Sequence, residues 1–178
     1  MFNNIYENKK VLVTGHTGFK GTWLTAWLLK LGANVVGISK DIPTTPSMFE
    51  ELNLNEKISH YLEDIRDLGK ITQIIFDEKP EFLFHLAAQP IVSSSYSDPI
   101  ETISSNVMGT VNILEALKIS NHKCTAIIIT SDKAYDNEEQ VWGYKEDDKM
   151  GGKDIYSGSK GAAELIIKSY HHSFFKSE

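Results

Sequence analysis

The chain has 178 residues, of which 41% are hydrophobic and 24% charged, with a single cysteine and a formal charge of −6. A domain of this size buries roughly 70% of its unfolded surface, so the composition excludes both intrinsic disorder and a disulfide scaffold. The 24 acids against 18 bases contain no long basic run, which argues against a nucleic-acid surface that tracks phosphates. No apolar stretch reaches membrane-spanning length, and the start MFNNIYENKK lacks the apolar segment of a signal peptide. With lone Cys124 suited to a reducing compartment, the expected setting is cytoplasmic, without membrane contact.

The first predicted strand, Val11-Leu12-Val13, runs into Gly15-His-Thr-Gly18-Phe-Lys-Gly21 and then into a helix from about Gly18 to Leu31. That helix is apolar at Phe19, Trp23, Leu24, Trp27, Leu28 and Leu31, and Gly32 stops it. In this context GxxGxxG reads as a phosphate cradle. Gly15 permits the tight turn, Gly18 lets the backbone approach a pyrophosphate, Gly21 allows close packing, and the helix N-terminus offers free N–H groups.

A second strand, Asn34 to Ile38, ends near the position where a dinucleotide fold usually places an acid for the adenosine ribose. Ser39 stands there and Asp41 follows, so both are candidate cofactor residues and NAD is favoured over NADP. Lys40 stands either as a partner for a 2′-phosphate or as plain solvated surface. The segment from Lys40 to Lys57, with its PTTP, has only a short helical hint.

Further strands are predicted over Ile58 to Leu62, Glu81 to Leu86 and Thr125 to Thr130. A helix starts at Asp67 and ends before Pro80. Another opens with Asp98-Pro99-Ile100-Glu101, an N-cap, an N1 proline and a capping-box glutamate. Its stripe of Ile100, Ile103, Val107, Val111, Leu114 and Leu117 is expected to pack on the sheet. Ser131 to Lys153 is acidic and aromatic-rich, and a last helix runs from near Asp154 to about Tyr170. Strands alternating with helices, most of them apolar on both faces, predict an α/β fold, a doubly wound parallel sheet with helices on both faces. Ligands are expected at the strand C-terminal ends.

Tyr156 and Lys160 lie at i and i+4, on one face of the last helix. A phenol acting as a base near pH 7 must lose about three pKa units, worth about 4 kcal/mol. One positive charge about 4 Å away supplies that at an effective dielectric near 20.

Taken with HTGFKG (16–21), these motifs carry a family resemblance: PTTPS (43–47), DIRD (64–67), HLAAQP (85–90), NVMGT (106–110), TSDK (130–133), WGY (142–144) and YSGSK (156–160). Together they resemble the CDP-glucose 4,6-dehydratase family, within the extended short-chain dehydrogenase/reductases that act on nucleotide sugars, over essentially the whole chain. The resemblance implies a Rossmann-type strand order 3-2-1-4-5, NAD as cofactor and CDP-glucose as nucleotide-sugar substrate. It places Gly15, Thr17, Gly18, Phe19, Lys20 and Gly21 at the pyrophosphate, and Asp64 and Ile65 at the adenine. Leu86, Ala87, Ala88, Gln89, Asn106 and Thr130 lie along the cofactor, with Tyr156 and Lys160 at its reacting end. Read without the resemblance, Asp64 starts a helix and Ala87-Ala88 makes a tight turn.

The implied reaction is an internal redox cycle: Tyr156 takes the 4-hydroxyl proton as hydride passes from C4 to NAD, water leaves across C5 and C6, and the hydride returns to C6. Ser131 would bond the 4-oxygen and Asp132 would act as acid. Lys133 stands where dTDP-glucose dehydratases carry a glutamate base and would have to be neutral to take a proton. The family's chains are about twice this length, so a missing C-terminal substrate part, an unpaired sheet edge beyond the fifth strand, retained NAD binding and negligible turnover are expected of residues 1–178. Homo-oligomers through the Asn106 and Tyr156 helices are also implied. No metal site is expected: His171 and His172 diverge on their helix, and no third ligand is near in sequence.

Overall fold

A computed structural model describes residues 2–176. Met1, Ser177 and Glu178, the ends of the expected 1–178 domain, lie outside the described residues. Five strands form one parallel sheet: β1 (Lys10–Thr14), β2 (Asn34–Ser39), β3 (Ser59–Leu62), β4 (Phe82–His85) and β5 (Thr125–Ile128). Their order is β3-β2-β1-β4-β5, as predicted, with Val13 beside Gly37 on one side and Phe84 on the other. The order reverses between β1 and β4, which opens a crevice at their C-terminal ends.

The helices are α1 (Phe19–Lys30), α2 (Met48–Glu51), α3 (Leu68–Glu78), α4 (Val92–Ser97), α5 (Pro99–Ile103), α6 (Gly109–Ser120) and α7 (Ile155–Tyr170). Alternation along the strands divides the core. Leu12, Val36, Ile38 and Leu83 pack with Ile71, Ile74 and Ile75 of α3 and Ile113, Ala116 and Leu117 of α6. On the other face Val11, Val13 and Val35 pack with Leu28 of α1 and with Phe82, Phe84 and Leu86, which are only partly buried. The two edge strands depart from the pattern of two apolar faces, since β3 has no fully buried residue and β5 exposes Thr125 and Ala126.

Sequence-encoded caps set most helix starts. Asp67 accepts from the Lys70 N–H, Asp98 from Glu101 and Asp154 from Ser157. Glu101 does not complete the predicted capping box, because its carboxylate turns outward to Lys40 and Arg66. The hexamer α4 has no counterpart among the predicted helices.

Two predicted apolar stripes are out of phase with the structure. In α1 the buried residues are Gly21, Thr22, Thr25 and Leu28, while Phe19, Trp23 and Trp27 are exposed. Gly21 explains the rotation: a Cβ there would lie 2.0 Å from the Gly15 carbonyl oxygen, so this position must face inward. Residues 25 and 28 then follow it beneath the helix.

The second stripe holds at its C-terminal end, where Leu114 and Leu117 are buried, and fails before it because the helix begun at Asp98 is not continuous. A wider turn over Ser104–Met108 separates α5 from α6 and shifts the buried face onto Thr102, Ser105, Asn106, Gly109 and Ile113. Ile100 and Ile103 are left exposed at 78% and 44%. The face is held by buried polar side chains that find partners on neighbouring loops, a pattern hydrophobic periodicity does not register.

Candidate functional site

A cleft of about 520 Å³ runs across the C-terminal edge of the sheet, from Lys40, Asp41 and Asp64 through the glycine turn to Ile129, Thr130, Tyr156 and Lys160. Its volume falls in the range of small-molecule sites. The turn after β1 is its floor. Gly15 has φ +75°, and a Cβ on it would lie 2.8 Å from the Ala87 nitrogen, so the turn and the 86–89 segment touch backbone to backbone. The Gly18 N–H donates to the Gly15 carbonyl at 3.1 Å. No side chain caps the N-terminus of α1, and no acid occupies its first turn. Its free N–H groups and partial positive charge suit an anion, and Lys20 adds a cation.

Buried His85 fixes this floor from below. Thr110 donates to the Asn106 carbonyl at 2.8 Å and accepts from His85 Nε2 at 3.2 Å, while His85 Nδ1 accepts from the Thr14 hydroxyl at 2.6 Å. Thr14 in turn accepts from the Ala87 N–H at 3.2 Å. This chain of bonds requires a neutral imidazole, and burial, reinforced by the charge of Lys160, pushes the His85 pKa down to about 3.

A second buried imidazole lies under the end of β2. His16 is fully buried and stands 2.7 Å from His60; the Ser39 hydroxyl is hydrogen-bonded to its Nδ1 at 3.0 Å and accepts from the Thr17 N–H at 3.4 Å. Burial pushes the His16 pKa down to about 4. Gly37 makes room for it, since a Cβ there would lie 2.5 Å from the ring.

Of the expected cofactor residues, Gly15, Thr17, Gly18, Phe19, Lys20, Gly21, Ser39, Asp41, Asp64, Ile65, Leu86, Ala87, Ala88, Gln89, Thr130, Tyr156 and Lys160 all line the cleft. Asn106 does not. Its side-chain Oδ1 accepts from the Gln89 N–H at 2.8 Å, and its Nδ2 donates to the Gln89 carbonyl at 3.2 Å and to the Ser159 hydroxyl at 2.9 Å. It therefore ties the 86–89 segment to α7 and does not face the site. Sequence reasoning missed Pro43, Pro90, Ser105 and Ile129 in the lining, and His85 and His16 beneath it. A glycine in the middle of β2 signalled the close approach of His16.

Tyr156 and Lys160 are 8% and 7% exposed on the inner face of α7. Burial lowers the Lys160 pKa, the carboxylate of Glu164 one turn on opposes this, and Lys20 adds to it. Thr130 lines the cleft and donates to that same Glu164. Ser131, Asp132 and Lys133 follow β5 but lie outside the lining. Ser131 caps a short turn over Asp132–Ala134, accepting from the Lys133 N–H and donating to Asp132, and the Asp132 and Lys133 side chains are exposed. Burial pushes the Cys124 thiol up to about 11, and His171 and His172 are exposed.

The connection from residue 131 to 153 has a fixed neck and a free tip. At the neck Tyr135 bridges Met150, and the Asp136 and Gly151 N–H groups bond the Lys149 and Ala134 carbonyls at 2.9 Å each. At the tip Val141 is 98% and Trp142 71% exposed. Among the described residues, no helix is long and apolar enough to cross a membrane.

The fold is shared with solved structures. A UDP-glucuronic acid 4-epimerase from Bacillus cereus, solved with NAD, superimposes with a TM-score of 0.81 at 30% identity, over 93% of this chain and 53% of that one. The UDP-glucose 4-epimerase of Thermus thermophilus, also with NAD, gives 0.80 at 25% identity, over 93% and 52%. In sequence, the CDP-glucose 4,6-dehydratase of Salmonella typhimurium is 52% identical over 97% of this chain and 48% of its own length. The chain thus spans about half the length of the curated relatives it matches. Residues 12–175 match the family model of GDP-mannose 4,6 dehydratase, and the chain belongs to that family.

Proposed function

We propose that this chain is the cofactor-binding and proton-transferring part of a nucleotide-sugar 4,6-dehydratase that takes NAD and acts on CDP-glucose. The observation that carries the reading is one continuous cleft joining an uncapped helix N-terminus at the glycine turn to the buried Tyr156 and Lys160. The 52% identity to a CDP-glucose 4,6-dehydratase supports the choice of nucleotide sugar.

The residues fit a dinucleotide. Gly15 and Gly21 leave no room for a Cβ, which packs the turn tightly against the 86–87 backbone and α1, and Gly18, without a Cβ, leaves the backbone bare where a pyrophosphate would approach. The α1 N-terminus and Lys20 would hold the phosphates, and Asp41, Asp64 and Ile65 would surround the adenosine. When bound, NAD supplies an acceptor and donor of hydride.

This chain's own residues handle protons and orientation. Tyr156 would take the proton of the sugar 4-hydroxyl, and Lys160, on the same helix face, would stabilise the resulting phenolate. Asn106, through Gln89 and Ser159, locks the floor of the cleft to the helix that carries both groups. Ser131, Asp132 and Lys133 would serve the sugar oxygen and the elimination once substrate draws the turn after β5 toward the cleft. Extended short-chain enzymes pair through the helices corresponding to α5–α6 and α7, so a homo-oligomer is part of the reading.

Calorimetric titration of the 178-residue chain with NAD is expected to show one site, with negligible turnover by this chain alone. Joined to the second half of the Salmonella relative, it is expected to give the 4-keto-6-deoxy product from CDP-glucose, and Tyr156→Phe should abolish that product. Preferential turnover of a dTDP or UDP sugar would overturn the substrate. NAD binding without turnover in the fusion would reduce the chain to a dinucleotide-binding domain.

A further inference from the structure

We propose that Glu101 gives this cleft its preference for a dinucleotide with a free ribose 2′-hydroxyl over one carrying a 2′-phosphate, by holding the two cations a phosphate would need. The inference rests on the dinucleotide reading above.

The ribose position is set by the end of β2. The hydroxyl of Ser39, which stands there, is already engaged by His16 and the Thr17 N–H. The charged groups left around that end of the cleft are Lys40 and Asp41 after β2, and Asp64 and Arg66 after β3. Lys40, Asp41 and Asp64 line the cleft.

Glu101 reaches this corner from α5. One oxygen accepts from Lys40 Nζ at 2.9 Å, and the other pairs with Arg66 Nη1. Arg66 turns its remaining edge to Asp64, donating from Nε at 3.0 Å. Two cations thus meet two carboxylates, and Asp41 adds a further negative charge. Lys40 and Arg66 together hold the Glu101 carboxyl below the usual carboxylate range, with the Lys40 bond the larger cause.

A 2′-phosphate carries a charge of about −1.5 to −2 and would enter this corner against a local charge that is zero or negative. It could recruit Lys40 or Arg66 only by breaking pairs that exist before binding. A free 2′-hydroxyl makes no such demand. Glu101 is therefore a positioning residue that acts on specificity through Lys40 and Arg66, and it does not itself line the cleft.

Glu101→Gln keeps the side-chain shape and removes the charge that binds both cations. Titrating the unaltered chain and this variant with NAD and with NADP is expected to tighten NADP about tenfold relative to NAD, the scale of one charge-assisted hydrogen bond. NAD affinity should move by less than about twofold, which also reports that the variant is folded. The gain should vanish in Glu101→Gln/Lys40→Met and shrink as salt is raised, because the corner is open to solvent. An unchanged NADP-to-NAD ratio in a variant that still binds NAD overturns the role of Glu101. Should neither dinucleotide bind the unaltered chain, the dinucleotide reading falls and this inference falls with it.

Discussion

Two connections leave the C-terminal edge of the sheet and run into helices that line the same cleft, yet they are built on opposite terms. The turn from Gly15 to Gly18 is closed by backbone on the sides away from the cleft. A Cβ on Gly15 would meet Ala87 at 2.8 Å, and one on Gly21 would meet the Gly15 oxygen at 2.0 Å. The connection from 131 to 153 is closed only at its neck, where a Cβ on Gly152 would lie 2.4 Å from the Gly158 nitrogen, and it is open at Trp142 and Gly143. The first is a cradle held by contacts of its own backbone. The second leaves Val141 and Trp142 at its tip exposed, although Tyr135 and Tyr144 stack nearer its neck. Precision in this molecule is concentrated where backbone meets backbone.

The sharpest test of that contrast is Gly21→Ala. The added methyl group meets a backbone carbonyl that cannot rotate away, so α1 must lift from the turn. The expected cost is about 3 kcal/mol or more, at the upper end of overpacking effects. A fall in the urea midpoint together with loss of NAD binding checks it; a variant that retains both would show the turn to be pliable.

An effect of comparable size should follow from acid. His16 and His85 are buried neutral, with pKa values lowered to about 4 and about 3. In the unfolded chain both titrate near 6.5, so below that pH the unfolded state binds more protons and stability falls as pH falls. Their contribution is fully present above about 6.5 and is lost progressively down to the folded values. The slope approaches about 1.4 kcal/mol per pH unit for each histidine. Urea denaturation at pH 7, 6 and 5 measures it, and His85→Gln, which keeps a side chain able to bond Thr14 and Thr110, should flatten the dependence. A pH-independent midpoint across this interval would refute the buried neutral pair as the source.

The same division governs how much of the molecule could be read from its sequence. The glycine cradle and the caps at Asp67, Asp98 and Asp154 were legible because each is a local matter of sterics and nearby hydrogen bonds, whereas the strand order, which sets Val11 beside Phe82, was legible only through the family resemblance. The rotation of α1 was not, because Gly21 overrides the aromatic row of Phe19, Trp23 and Trp27. Glu101 looked like a capping-box residue because its partners, Lys40 and Arg66, are 61 and 35 residues away in sequence. Asn106 looked like a ligand-facing residue for a similar reason: its bonds to Gln89 and Ser159 exist only once three elements have come together. His16 was hidden as a variable position inside the glycine motif, although Gly37, bare in the middle of a strand, marked the space it fills.

At the tip of the 131–153 connection the expected effect is the smallest. A Cβ on Gly143 would meet nothing within 4 Å, and its φ lies outside the left-handed region. Gly143→Ala therefore removes no contact and imposes no strain on the folded state. It also narrows the unfolded ensemble, so stability should change by no more than about 0.5 kcal/mol, and in the stabilising direction if at all. A urea midpoint within error of the unaltered chain, with NAD affinity unchanged, is the expected result. A marked loss would mean that the tip packs against something, which would make the two connections alike and remove the distinction between a cradle fixed by backbone and a loop held only at its neck.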